Sequence, residues 1–189
     1  MITSLPNILT LSRILVIPGI VALLFWDDPL ARWIAFGLFA FAGITDFFDG
    51  YAARQMNQAS VLGRFLDPIA DKLLVAAIIL MLVATADLSG IHVIPALVIL
   101  GREILVSGLR EFLAELRVGM PVSKLAKYKT TLQILALGFL LVGDAGPSFL
   151  PVHDIGIIGI WLAALLTIVT GFDYLRAGLR HMTEDSPAE

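Results

Sequence analysis

The sequence predicts an all-α membrane protein, a bundle of six transmembrane helices with both termini on the cytoplasmic side. Three observations carry that expectation. Of the 189 residues, 58% are hydrophobic and only 15% charged, and a mean hydropathy of +0.90 exceeds what the core of a water-soluble domain requires. The apolar residues fall into six stretches, most of them close to the roughly 20 residues that cross a bilayer. Lysine and arginine crowd the connections on one side of that pattern and avoid those on the other.

The first stretch, Ile8 to Trp26, follows Ser4-Leu5-Pro6, which supplies a helix start. Its apolar run behind Arg13 is like the core of a signal peptide, but Trp26-Asp27-Asp28-Pro29 lacks a small-x-small cleavage pattern, so the helix is read as retained. Asn7, Thr10 and Arg13 recur every third residue and lie toward one side of it. The second stretch, Ala31 to Ala53, opens after the turn-like Asp27-Asp28-Pro29, and Trp26 and Trp33 read as belt aromatics at the outer interface. The third, Asp67 to Ala86, ends at the break Asp87-Leu88-Ser89-Gly90. The fourth runs from Val93 to Leu113. The fifth, Thr130 to Val142, is long enough to span only if it extends back through its polar start. Asp144-Ala145-Gly146-Pro147 then turns the chain into the sixth, Ile155 to Leu175, where Gly159-x3-Ala163 permits close helix approach and could serve an oligomer. No internal repeat or low-complexity tract divides residues 1–189, which are expected to form a single membrane domain.

Orientation follows from the cations. The connections around 27–30, 87–92 and 143–154 contain no Lys or Arg, and Arg32 is the sole cation near them. The opposite ends hold Arg13, Arg54, Arg64, Lys72, Arg117, Lys124, Lys127, Lys129, Arg176 and Arg180. The positive-inside rule therefore puts both termini in the cytoplasm, and the expected location is a bacterial cytoplasmic membrane. The chain has no cysteine, which excludes disulfides, thiolate metal sites and thiol nucleophiles. A net charge of −3 and a pI near 5.5 argue against nucleic acid as a partner.

The chemistry gathers between residues 46 and 71, in the pattern Asp46-x2-Asp49-Gly50-x2-Ala53-Arg54-x8-Gly63-x3-Asp67-x3-Asp71. At about 100° per helical residue, Asp46, Asp49, Gly50 and Ala53 project within an arc of roughly 100°, with Arg54 at its edge. Asp67 and Asp71 stand one turn apart, and Gly63 lies one turn below them. If the two helices pack side by side, four carboxylates converge on one volume and the glycines leave room for a ligand beside the backbone. Divalent cations would relieve the mutual repulsion, and all-oxygen ligation suits Mg²⁺ or Mn²⁺ better than zinc or copper. Any one of these aspartates reads equally well as an interfacial charge paired with Arg54, Arg64 or Lys72. Four in register on two helices do not, so the site reaches the cytoplasmic face as a phosphate-binding metal cluster.

Two further polar clusters lie downstream. In Gly101-Arg102-Glu103-Ile104-Leu105-Val106-Ser107-Gly108-Leu109-Arg110-Glu111 the polar residues take about half the helical circumference. Mutual Arg/Glu pairing explains the glutamates, whereas two inward arginines suit phosphate oxygens. In the fifth stretch Lys124, Lys127 and Thr131 share one face, and Lys129 and Gln133 another. One face can touch anionic headgroups while the other lines an anionic pocket. His92, His153 and His181 are scattered near loops and the tail and read as ordinary interfacial histidines, while Asp173 and Arg176 are spaced to pair with each other.

The pattern from Asp46 to Asp71 resembles the complete signature of the CDP-alcohol phosphatidyltransferase family, a match expected by chance in about one window in 10¹⁰. Asn7-x-Leu9-Thr10-x2-Arg13 is similar to the start of the family's glycerophosphate-specific members. Arg102-Glu103-Ile104-x2-Ser107-Gly108-Leu109-Arg110-Glu111 and Lys127-x-Lys129-Thr130-x2-Gln133 resemble the same members. The resemblance implies a six-helix membrane enzyme, usually a homodimer, that transfers the phosphatidyl group of CDP-diacylglycerol to an alcohol and releases CMP. The implied acceptor is sn-glycerol 3-phosphate, and the lipid tails stay in the membrane. By the same resemblance, two Mg²⁺ ions, with Mn²⁺ as a substitute, would be held by Asp46, Asp49 and Asp67. Asp71 would act as general base or as a further ligand. Gly50, Ala53 and Gly63 would admit the cytidine moiety and Arg54 would hold donor phosphate. The acceptor phosphate would fall to Arg102, Arg110, Lys127 and Lys129. Three alternatives stay open at this point, one of them a catalytically dead metal-binding scaffold, which would require a broken signature where none of the eight positions is altered. The acceptor could be inositol phosphate or serine, or the bundle could be a cation transporter, which would require carboxylates at several depths of the bilayer.

Overall fold

The computed structural model describes the backbone of residues 5–26, 28–56, 61–115 and 124–184. Within those helices the side chains of 5–6, 46–56, 61–62, 64, 115, 124, 173 and 177–184 lie outside the described residues. The described chain is helical throughout, with α1 (Leu5–Phe25), α2 (Pro29–Met56), α3 (Val61–Ala84), α4 (Val93–Glu115), α5 (Lys124–Val142) and α6 (Val152–Glu184). Short 3₁₀ turns at Gly90–His92 and Gly143–Ala145 precede α4 and follow α5. Four segments are long and apolar enough to cross a membrane: Asn7–Phe25, Gly90–Ala114, Leu125–Ala145 and Val152–Arg176. The apolar part of α2, Pro29–Thr45, is shorter.

Each of the six expected stretches is a helix, but five begin earlier than their apolar residues suggest, α3 and α5 by six residues. α3 starts at Val61 rather than Asp67, so Asp67 stands inside the helix and Pro68 interrupts its ladder at one amide. α5 starts at Lys124 and takes in the whole polar lead, and α6 starts at Val152. Helix ends follow local capping chemistry that hydropathy does not report. At α2, Asp28 Oδ2 accepts from the amides of Leu30 and Ala31 at 3.0 and 3.2 Å, with Pro29 at the first helical position.

The helices form two compact units. The first comprises residues 1–89 and 137–156. In it α1 packs on both α2 and α3, and α2 meets the 143–145 turn. Its core runs through Ile20, Leu24, Ala35, Phe39, Leu74, Ile78 and Leu82. At one end Arg32 grips Asp87 with two hydrogen bonds of 2.9 and 3.0 Å, both side chains largely buried. Trp33 Nε1 donates to the Ala145 carbonyl at 3.0 Å, and a His153 ring nitrogen meets the Asp87 carbonyl at 2.9 Å. Arg32, the sole Lys or Arg near these acidic connections, is therefore neutralised in place by Asp87.

The second unit comprises residues 90–136 and 157–189. Helix α6 presents Ile160, Ala163, Thr167, Thr170 and Tyr174 as a buried stripe at alternating three- and four-residue spacing. The buried hydroxyls of Thr167 and Thr170 donate back to the carbonyls of Ala163 and Leu166 at 2.6 and 2.8 Å, which satisfies them without a partner helix. A Cβ on Gly159 would lie 2.9 Å from the Ala136 Cβ, so the small residue at 159 serves the contact of α6 with α5 inside this unit. His92 Nδ1 accepts from Trp161 Nε1 at 3.1 Å.

Candidate functional site

On α3, Gly63, Asp67 and Asp71 follow one another at four-residue intervals and so share a face. Gly63 is buried, while Asp67 and Asp71 are partly exposed. That face meets the polar side of α1. Asn7, Thr10 and Arg13, the three residues spaced three apart, are all buried to 1% exposure or less. Thr10 Oγ1 donates a short hydrogen bond to Asp67 Oδ1. Arg13 Nη1 donates to Asp71 Oδ1 at 2.5 Å, the guanidinium side chain 1% exposed and the carboxylate 47%.

The sequence explains why this face closes. An arginine buried at a helix interface needs an anion, because an unpaired charge there costs several kcal/mol, and Asp71 supplies it. Thr10, one turn away on α1, meets Asp67, one turn away on α3. The pairing holds each carboxylate from its buried side while Asp71 keeps about half its surface open. Neither Thr10 nor Arg13 is among the expected site residues. Their three-residue spacing gave the signal, but nothing in the sequence says which anion they face.

Asp46, Asp49, Gly50, Ala53 and Arg54 all lie on the second half of α2, which packs with α1 in the same unit. Their side chains lie outside the described residues, as do those of Arg64 and Asp173. Among the described residues no group of three carboxylates or histidines forms, and Asp67 and Asp71 are the pair that this unit brings to one face.

The second unit collects the cations. Glu103 on α4 accepts from Arg102 at 3.2 Å and also from Lys129 on α5, in a short contact. Lys129 is 1% exposed and Gln133, one turn on, is 3% exposed. Of the two polar faces of α5, therefore, the one with Lys129 and Gln133 is buried, whereas Lys127 and Thr131 are exposed. The Arg102 and Arg110 guanidinium carbons lie 5.4 and 5.7 Å from the centroid of the Tyr174 ring. Tyr174 is buried with Val106 and Ala126. Arg102 Nε and Gln133 Oε1 are buried with no hydrogen-bond partner among the described residues.

The sequence profile of the CDP-alcohol phosphatidyltransferases matches residues 3–169, nearly the whole chain. The chain belongs to that family. Among its relatives, a protein of Rickettsia bellii is 51% identical over 92% of this chain and 94% of its own length. One from Cereibacter sphaeroides is 37% identical over 96% and 98%, and one from Pseudomonas fluorescens is 39% identical over 98% and 95%. All three bear the name CDP-diacylglycerol–glycerol-3-phosphate 3-phosphatidyltransferase.

For a CDP-alcohol phosphatidyltransferase the two described faces differ usefully in charge. The α3 face offers carboxylate oxygens and no nitrogen or sulfur ligand, a donor set that fits a hard divalent ion. Among the described residues the α4–α5 cluster sets two arginines and a lysine against Glu103, which contacts Arg102 and Lys129, a surplus that fits an anion.

Proposed function

We propose that this chain transfers the phosphatidyl group of CDP-diacylglycerol to sn-glycerol 3-phosphate, giving phosphatidylglycerol phosphate and CMP in phospholipid synthesis. The observation that carries the reading is the α3 face of the family signature, where Asp67 and Asp71 are gripped from behind by Thr10 and Arg13 of a motif typical of glycerophosphate-specific members. In this reading all six helices span the cytoplasmic membrane as one domain, both termini and the reacting groups face the cytoplasm, and the enzyme is a homodimer.

Asp46, Asp49 and Asp67 would hold two Mg²⁺ ions, which when bound neutralise the donor diphosphate. Gly50, Ala53 and Gly63 leave space for the cytidine moiety, and Arg54 pairs with donor phosphate. Asp71 receives the proton of the acceptor hydroxyl as its oxygen bonds to the lipid-bearing phosphorus and the bond from that phosphorus to the CMP oxygen breaks. Arg13 holds the Asp71 carboxylate through Oδ1 during that exchange. Arg102, Arg110 and Lys129, together with the more exposed Lys127, hold the acceptor phosphate. An unphosphorylated alcohol would leave that cationic surplus without a partner.

The experiment is CMP release by purified protein with CDP-diacylglycerol and a panel of acceptors. Glycerol 3-phosphate is expected to support turnover, and Asp67→Asn is expected to abolish it and weaken Mg²⁺ binding while the protein stays folded. Preference for serine or free inositol, or near-normal turnover by Asp67→Asn, would overturn the assignment.

A further inference from the structure

Arginine can be held in place in two ways that differ in what they leave behind. A carboxylate occupies the N–H fork and neutralises it, whereas an aromatic face attracts the guanidinium through its quadrupole and leaves the N–H edge available. Arg102 and Arg110 both lie on a single ring, and Arg102 in addition gives one N–H to Glu103. They lie eight residues apart on α4 with Val106 midway, and Val106 is the α4 residue packed with Tyr174. The ring therefore sits at the level of Val106, one arginine a turn or so to either side, each guanidinium within the 6 Å at which the attraction operates.

Helix α6 is shaped for this. Gly171, three residues before Tyr174, lies against the Arg102 stem, and a Cβ there would come within 3.1 Å of Arg102 Cγ. The glycine lets the stem lie along α6 and the ring takes the head. Two like charges drawn to one buried ring repel each other, and Glu103 meets only one of them among the described contacts. The buried Arg102 Nε has no partner there. An arrangement that gathers two guanidiniums, sets one carboxylate against one of them and leaves Arg102 Nε without a partner among the described residues is built to receive an anion.

We infer that Tyr174 is a positioning residue for acceptor specificity: its ring presents Arg102 and Arg110 together to the phosphate of a phosphorylated alcohol. This rests on the function proposed above and adds the element that makes two separate arginines one anion site. Tyr174 acts through the ring face and through the arginines, not by touching the reacting atoms.

The test varies ring electrostatics at constant shape. Full-length enzyme in detergent carries Phe, then singly and multiply fluorinated Phe, at position 174, with Tyr174→Leu as the limiting case. CMP release is followed against glycerol 3-phosphate at saturating CDP-diacylglycerol and the reverse. Tyr174→Phe is expected to stay within about twofold of wild type. The KM for glycerol 3-phosphate should climb with each fluorine and reach roughly three- to thirtyfold in Tyr174→Leu, the span of one to two weakened cation–π contacts. The KM for CDP-diacylglycerol and the kcat should hold nearly constant. A flat fluorine series, or a loss shared equally by both substrates, overturns the positioning role even if the leucine variant folds poorly. A wild-type enzyme that ignores glycerol 3-phosphate overturns the proposed function as well, so the two failures are distinct.

Discussion

The Glu103–Lys129 pair gives a prediction whose sign comes from geometry. Lys129 is 1% exposed and its recorded partner is Glu103, whereas Glu103 is 23% exposed and also holds Arg102 at 3.2 Å. Glu103→Leu strands a buried ammonium. Breaking a buried pair costs about 3–5 kcal/mol, and the partial exposure of Glu103 puts this case near 3. Lys129→Met leaves Glu103 with Arg102 and with water, so its cost is that of one charge-assisted hydrogen bond, near the lower end of about 1.5–3 kcal/mol. The glutamate variant should thus be less stable than the lysine variant by about 1.5 kcal/mol, roughly tenfold in the unfolding equilibrium. The double variant should recover much of the loss, since an apolar pair of similar volume replaces two buried charges. Unfolding in mixed micelles, followed by tryptophan fluorescence over the four-member cycle, measures each term. The reasoning is refuted if Lys129→Met proves the more damaging substitution, or if the two single losses simply add.

Two other outcomes follow from the architecture. With no cysteine in the natural chain, single cysteines at Ser89 and Ser148 should react with an impermeant thiol reagent from outside intact cells, and one at Gln58 should not. Equal reaction at all three would contradict the orientation drawn from the positive-inside rule. Gly159→Ala should lower the thermal midpoint in detergent, because its Cβ would lie 2.9 Å from that of Ala136, an overpacking worth about 1–3 kcal/mol. Ala136→Gly in the same chain should restore it, and an unchanged midpoint in the single variant would sink the close-approach account.

The sequence by itself determined the number of helices, their approximate centres and the family. Those properties are local or nearly so: lipid-compatible hydropathy is read over one helix length, and the aspartate signature lies within a single run from Asp46 to Asp71. Helix ends were less legible: α5 takes in a basic lead from Lys124 that carries little apolar signal, and α3 begins at Val61, six residues before the expected Asp67. The third stretch was expected to begin at Asp67, which instead stands inside α3 next to Pro68. Long-range ion pairing was beyond reach. The sequence set Arg54, Arg64 and Lys72 beside Asp71, and it did not point to the pair that Asp71 makes with Arg13, 58 residues away. The sequence set Lys127 and Lys129 on different faces of α5 without saying which is buried, and only the packing of α5 buried Lys129 on Glu103 and left Lys127 exposed. Tyr174 gave no sign of its role. Coulomb attraction depends on distance and burial, and both are set by which helix faces meet. The tertiary structure therefore chose the partners for charges that the sequence could only count.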